Sequence, residues 1–447
     1  MAQDSDALSL LDDLIARARK SGADAADAVL FEGASLSHAQ RLGKIEKLER
    51  SESYDLGLRV LIGKRQAIAS SNERSRERMD DLIERAIAMA RAVPEDPYCG
   101  LAPPEALARD WPDLDLADPV EPAPETLIAH AAAAEDAARA VAGVTNSEGA
   151  EASWSRSRVA LAASNGFAGT YVGTGHGISV AVLAGEGQEM ERDYDFSSAV
   201  HAGDLADAAQ IGRRAGERAV KRLGARKVPT SKVPVIYDPR VAGSIVRHLL
   251  GAISGPAVAR GTSFLKDKLG TRVFAPGIAI TDDPHKRRGL RSRPFDGEGV
   301  KNRRRAIVAD GVLETWILDL ASARQLGLET TGHASRGTGG PPGPSPSNLW
   351  LEPGHVTQAE LLADIPSGLY VTELMGMGVN GVTGDYSRGA AGFWIEHGQL
   401  AYPVSELTIA GNLKDMFQHL SAANDLQFRT GIDSPTLRID GMTVAGA

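Results

Sequence analysis

Residues 370–398 read YVTELMGMGVNGVTGDYSRGAAGFWIEHG, and their interpretation decides the fold of the second half of the chain. The letters GMGVNG (376–381) fit the G-x-G-x-x-G pattern of a dinucleotide site. A strand-like run from Leu369 to Leu374 precedes them, and Glu396 follows twenty residues after Gly376. Such a fingerprint works only when a helix starts at its third glycine, because the pyrophosphate rests on that helix's N-terminus. The stretch from the third glycine onward carries Gly381, Gly384, Gly389, Gly392 and Gly398. Each glycine costs a helix about 1 kcal/mol relative to alanine, so a helix here would lose several kcal/mol. The segment runs instead into a hairpin turning at His397-Gly398. The glycines are therefore read as places for sheet bulges and close backbone approach. A sharper reading makes the bare backbone beside Glu373, Asp385, Tyr386 and Arg388 a groove in which an extended peptide adds as a strand. In the alternative, Asp385 and Arg388 form an internal ion pair.

The flanks continue the strand-and-turn pattern. AIVADGVLETWIL is a hairpin on Asp310-Gly311, and RGTGGPPGPSPSNLWLEPG (336–354), with five glycines and five prolines, is a loop. Asp238-Pro239 opens a helix as N-cap and first-turn proline, with Val241, Ile245, Leu249 and Ile253 on one face. ARKVPTSKVP reads as a linker, so the expected domains are 1–228 and 229–447. In the first, Leu8, Leu11, Leu14, Ile15 and Ala18 share a helical face, and LRVLIGKRQAIASSN is a hairpin about Gly63-Lys64. Asn72 is expected to cap a helix whose apolar side is Met79, Leu82, Ala86, Ile87 and Ala90. Residues 94–124 hold eight prolines and eight acidic side chains, which predicts an exposed irregular crossing. Helices are expected at 124–142 and 203–223. The fold class is α+β: an N-terminal α/β domain and a C-terminal domain dominated by antiparallel sheet, barrel- or sandwich-like.

Composition excludes several functions. A net charge of −9 gives no general attraction to nucleic acid or anionic membrane. The basic run 286–305, with nine basic and two acidic side chains, has one aromatic residue and is read as an intramolecular or subunit-facing surface. The single Cys99 excludes an internal disulfide. No two of the ten histidines lie within twelve residues of each other, so no helix carries a paired-histidine zinc motif. No G-x-S-x-G elbow is present. The start MAQDSDALSLLDDLIARARK is an acidic amphipathic helix rather than a secretory signal, and no run is apolar enough to span a membrane; a cytoplasmic location is expected.

Several long blocks in order, SRPFDGEGV, LASARQLGLETTGHASRG, PSPSNLWLEPG, VTELMGMGVNGVTGDYSRGAAGFWIEHGQLAYPVSELTIAGNLKDMF and SPTLRIDGM, resemble the TldD/PmbA family. HLLGAISGPAVARGTSFL is similar to the PmbA branch, also called TldE. The resemblance implies a zinc peptidase in the TldD branch, whose helix carries His-Glu-x-x-x-His before an Arg-Gly-Thr-Ser stretch, with a late cysteine completing the site. This chain keeps Arg260-Gly261-Thr262-Ser263, but the histidine positions hold Val246 and Gly251, the glutamate position holds Arg247, and the cysteine position falls at or near Ser434. A catalytic zinc needs about three protein ligands and an open position, so no metal and no catalytic residue is expected here.

The implied role is the non-catalytic subunit of a heterodimeric metallopeptidase that processes unfolded peptides. Zinc would sit in a TldD-type partner, and the chain could form a homodimer when isolated. Asn348, Glu373, Asp385, Tyr386 and Arg388 are the candidate peptide-groove residues. Two rival readings are a stand-alone metallopeptidase with an unrecognised site and a non-enzymatic homodimeric peptide-binding protein.

Overall fold

The computed structural model describes residues 2–446. In the N-terminal half, helix α1 (Ala2–Lys20) leads into strands β1 (Ala25–Arg41), β2 (Lys44–Ile62) and β3 (Arg65–Ser71), then helix α2 (Arg76–Ala92). After the proline-rich crossing come α3 (Pro124–Arg139), β4 (Val144–Ala163), β5 (Ala168–Ala184), β6 (Glu191–Ala199) and α4 (Ala208–Lys221). The six strands form one sheet in the order β3-β2-β1-β4-β5-β6. Every pairing is antiparallel, because each connection is a hairpin or a helical excursion returning to a neighbour.

Side-chain alternation explains the layers. Ala26, Ala28 and Leu30 of β1 and Ala160 and Ala162 of β4 face Leu11, Leu14, Leu82 and Ala86 of α1 and α2. Further along the same face, Leu36, Ala152 and Trp154 meet α3 and α4. Those two helices touch closely: a Cβ on Gly212 would overlap the carbonyl oxygen of Ala134.

The opposite face carries Val29, Phe31, Val159 and Leu161, covered by Ala102, Leu107 and Ala108 of the crossing and by Phe295 and Val300 from the C-terminal half. The crossing is exposed along much of its length, as expected, but through these side chains it also serves as a lid on a sheet face. Its prolines limit regular structure to a 3-10 turn at Pro104–Ala106 and a single bridge from Leu107 to Val300, but its few apolar side chains still have a surface to bury. The cap of α2 also differs from expectation: Ser75, not Asn72, accepts from the Arg78 N–H, since it directly precedes the first helical residue.

The C-terminal half opens on β7 (Ser231–Tyr237) and α5 (Pro239–Ile253), capped by Asp238 as expected. Next come α6 (Gly255–Ala259), β8 (Ile280–Asp283), β9 (Arg305–Ala309), β10 (Val312–Leu313), α7 (Leu320–Leu326) and the short pair β11 (Ala334–Ser335) and β12 (Gly343–Pro344). Then follow β13 (Asn348–Leu351), α8 (Gln358–Leu362), β14 (Ser367–Met375), β15 (Asp385–Glu396), β16 (Gln399–Asn412), α9 (Leu413–Gln418), β17 (Leu420–Ala422), β18 (Ile432–Asp433) and β19 (Leu437–Ala445).

Strands β16-β15-β14-β7-β19 pair in series, and β16 pairs back to β19, closing a five-stranded barrel. A second sheet runs β10-β9-β8-β13-β18. Helix α5 buries Ile245, Val246, Leu249 and Ile253 in the core shared by the barrel and this sheet. The expected loop 336–354 contains β13, whose four residues are all buried. Leu349 and Trp350 supply apolar surface that overrides the turn-forming residues before them.

Ion pairs tie the halves together. Asp27, 2% exposed, is bonded by Arg59 within its own sheet and by Arg336 of the C-terminal half at 2.6 Å. Arg240 meets Asp193 at 2.7 Å, and Arg429 meets the fully buried Asp195 at 2.7 Å. Arg324 donates to the carbonyls of Tyr98, Gly100 and Leu101.

Candidate functional site

No helix follows GMGVNG. Strand β14 ends at Met375, and 376–384 form a loop leading into β15. The loop folds back on its own strand: Ser387 N–H donates to the Gly378 carbonyl (2.7 Å), and Gly384 N–H to Asn380 (2.8 Å). Strand β14 is itself flanked by β15 and β7 inside the closed barrel. The backbone expected to receive an extended peptide therefore has its hydrogen bonds met, and a closed barrel offers no strand edge at this point.

The five groove candidates separate. Asn348 is 2% exposed in β13, outside the barrel; its amide donates to the Asp283 carbonyl and Ser292 Oγ, both at 2.8 Å, and its oxygen accepts from the Arg291 N–H. It is a structural residue of the second sheet and shares no contact with the other four. Glu373 pairs with Arg222 of α4's end at 2.6 Å, joining the halves. Asp385 accepts from Thr383 Oγ1 (2.6 Å) and Asn412 (3.0 Å), which hold its carboxyl below the usual range and shape the loop. Arg388 reaches the Met375 carbonyl at 3.5 Å and makes no ion pair with Asp385, so the alternative pairing does not form. Tyr386, 1% exposed, has its hydroxyl 3.4 Å from that of Tyr237, and both phenols are pushed up by burial.

Helix α5 presents its polar side beside this loop. Val246 is packed in the core, whereas Arg247 and Gly251 are exposed. His248 lies between them, its ring edge-on to Tyr386 at 5.6 Å and its Nε2 buried without a hydrogen-bond partner. Burial first, then the charges of Arg388 and Arg247, lower its pKa to about 4, so the imidazole is neutral at pH 7. Residues 260–263 join helix to loop: Ser263 Oγ donates to the Ala252 carbonyl (2.5 Å), and Phe264 N–H to Gly381 (3.0 Å). Exposed Met375, Met377 and Val382, the second at 89% exposure, make the loop surface apolar. Sequence reasoning named the loop and the helix separately. Nothing in the sequence reading linked the two, and His248 was missed as the residue that joins them.

These residues do not fit a zinc ion. Val246 and Gly251 offer no donor, Arg247 would repel a dication, and buried Ser434 Oγ donates to the Pro435 carbonyl at 3.0 Å. Among the described residues, no group of three His, Cys, Asp or Glu side chains is placed to hold a metal. The basic run 286–305 is engaged within the chain: Arg287 and Arg288 with Asp115, Arg293 with the Ser345 carbonyl, Arg305 with that of Thr331. Cys99 is buried, and its thiol pKa is raised by that burial.

Sequence profiles described as PmbA/TldA metallopeptidase domain 1, central domain and C-terminal domain match residues 26–90, 117–223 and 230–446. The chain is 39% identical over 426 residues to Metalloprotease PmbA of Escherichia coli O157:H7, covering 95% of this chain and 92% of that protein. The chain belongs to the PmbA/TldD metallopeptidase family. A Haemophilus influenzae member, named Metalloprotease PmbA homolog, is 36% identical over 433 residues, 96% of this chain and 94% of its own. A solved Bacteroides thetaiotaomicron structure described as a modulator of DNA gyrase superposes with a TM-score of 0.90 at 29% identity, covering 98% of each chain. TldE from Thermococcus kodakarensis shares the fold, with a TM-score of 0.86 at 21% identity over 98% of this chain and 100% of that one. Among the described residues no helix is long and apolar enough to cross a membrane.

The His248 environment sets a pH dependence. Its folded pKa lies below the unfolded value of 6.5, so the unfolded chain takes up the proton first as pH falls. The associated stability is fully present above pH 6.5 and is lost on going down toward pH 4. Discounting for partial exposure, the loss by pH 5 is about 1–2 kcal/mol. His248→Phe should flatten this part of the urea-midpoint profile; an unchanged slope between pH 6.5 and 4 would remove His248 as its source.

Proposed function

We propose that this chain is the non-catalytic subunit of a two-chain peptidase of this family, in which a TldD-type partner holds the zinc and this chain forms part of the wall against which an unfolded peptide is presented in the cytoplasm. The observation that carries the reading is the state of α5, where the metal-binding positions are occupied by a core valine, an exposed arginine and a glycine. The surface offered instead combines apolar Met377 and Val382 with the cations Arg247 and Arg388. It suits a peptide held through side chains rather than by strand addition.

Native mass spectrometry of the chain expressed alone and with a TldD-type chain tests the reading, alongside peptide cleavage. The expected result is no cleavage by the chain alone, and a one-to-one complex holding one zinc that cleaves. Stoichiometric zinc and cleavage in the isolated chain would overturn it. Within the complex, the pair Met377→Asp and Arg388→Ala should lower kcat/KM for an unfolded peptide by about tenfold, equivalent to about 1.4 kcal/mol.

A further inference from the structure

Away from α5, a cavity of about 130 Å³ lies where the N-terminal sheet meets the C-terminal half. Its walls are apolar and largely aromatic, formed by Phe31, Leu161, Tyr171 and Phe295, with Phe295 edge-on to Tyr171 at 5.5 Å. Exposed Ser335 stands at its rim. Two guanidinium groups also line it. Arg336 has a side chain only 2% exposed, and while its Nη1 bonds Asp27, its Nε and Nη2 are buried with no partner. Arg293 gives one nitrogen to the Ser345 carbonyl, and its Nε is likewise buried and unpartnered.

The local charge is unbalanced. Asp27 serves both Arg59 and Arg336, leaving one cation in surplus, and no carboxylate pairs with Arg293. Asp296, the acidic side chain lining the cavity, already accepts three backbone N–H bonds; burial pushes its pKa up to about 6 against the Arg293 charge, so near neutral pH it offsets Arg293 through space but makes no ion pair with it. Buried cations without a counter-charge are costly, and donors with no acceptor add to that cost.

We propose that this cavity binds a compact apolar carboxylate, its ring or branched body against the aromatic walls and its oxygens on Arg293 and Arg336. The size agrees: an apolar cavity of about 150 Å³ holds benzene. The carboxylate is supplied either by a free acid of benzoate size or by the C-terminal residue of a peptide, and the site is independent of the subunit role proposed above.

Calorimetric titration of the full chain with sodium benzoate tests the site, with Gly-Gly-Phe as free acid and as C-terminal amide deciding the source. Saturable one-to-one benzoate binding is expected. Arg336→Lys keeps the charge opposite Asp27 but loses the guanidinium fork, and should weaken binding roughly tenfold or more, the size of a lost charge-assisted hydrogen bond. Val159→Phe fills the cavity, leaves both arginines in place and should abolish binding. Binding of the tripeptide acid but not its amide assigns a peptide terminus; benzoate binding alone assigns a free acid. No saturable benzoate binding, equal binding of acid and amide, or binding unaltered in both variants would overturn the proposal.

Discussion

Asp27→Ala is expected to destabilise the protein by about 3–5 kcal/mol, the penalty for leaving buried cations without their partner. Asp27 and the side chains of Arg59 and Arg336 are all within a few per cent of full burial, and the carboxylate joins them across 309 positions of sequence. The arginines hold its pKa below the usual aspartate range against the opposing effect of burial. Removing it leaves two guanidinium groups facing each other where the halves meet. The urea midpoint and the thermal melt should fall together. A triple variant with Asp27→Ala, Arg59→Met and Arg336→Met should recover much of the loss, because it removes the charges together. A loss under about 1 kcal/mol in the single variant would mean that water reaches the arginines and the cluster is not a dry tie.

Gly392→Val should cost about 3 kcal/mol or more, although strand propensity alone favours valine by up to about 1 kcal/mol. Gly392 sits in β15 opposite a bulge in β14, where the register shifts between Val371 and Glu373. Its φ is not in the left-handed region, so backbone freedom is not the reason for glycine. A Cβ would overlap the Tyr370 carbonyl oxygen, and a backbone atom cannot rotate away as a side chain can. The β14–β15 ladder would have to open inside a closed barrel, with no free edge to take up the shift. Gly389, three residues earlier, is the control: its added Cβ comes to 3.2 Å from Met375 Cβ, tight by a few tenths of an ångström rather than overlapping, so Gly389→Ala should change stability by less than about 1 kcal/mol. Equal effects at the two positions would disprove the backbone-clash argument.

What the sequence by itself determined was local. Turn chemistry at Asp310-Gly311 and His397-Gly398, the Asp238-Pro239 helix start and the helical stripes of α2 and α5 were legible because each is settled within a few residues. The glycine density after Gly376 ruled out a dinucleotide helix for the same reason, whereas the reading of Val246, Arg247 and Gly251 on α5 as former metal positions came from the family resemblance. The partition into an antiparallel β-rich second half followed from hairpin spacing.

The tertiary structure decided what depends on distant pairing. Closure of the barrel rests on β16 meeting β19, and those contacts leave no local pattern. Asn348 reads like a loop residue beside glycines and prolines, yet it is an interior hydrogen-bonding hub because β8 and β18 flank its strand. The acidic, proline-rich crossing is exposed over much of its length as its composition suggests, but only the fold shows that Ala102, Leu107 and Ala108 cover the second apolar face of the N-terminal sheet. The basic run was read as either an intramolecular or a subunit-facing surface, and only the fold shows which partners within the chain it has, Asp115 and the carbonyls of Thr331 and Ser345. In each case the deciding energy is burial or charge pairing between segments far apart in the chain, which only the folded arrangement brings together.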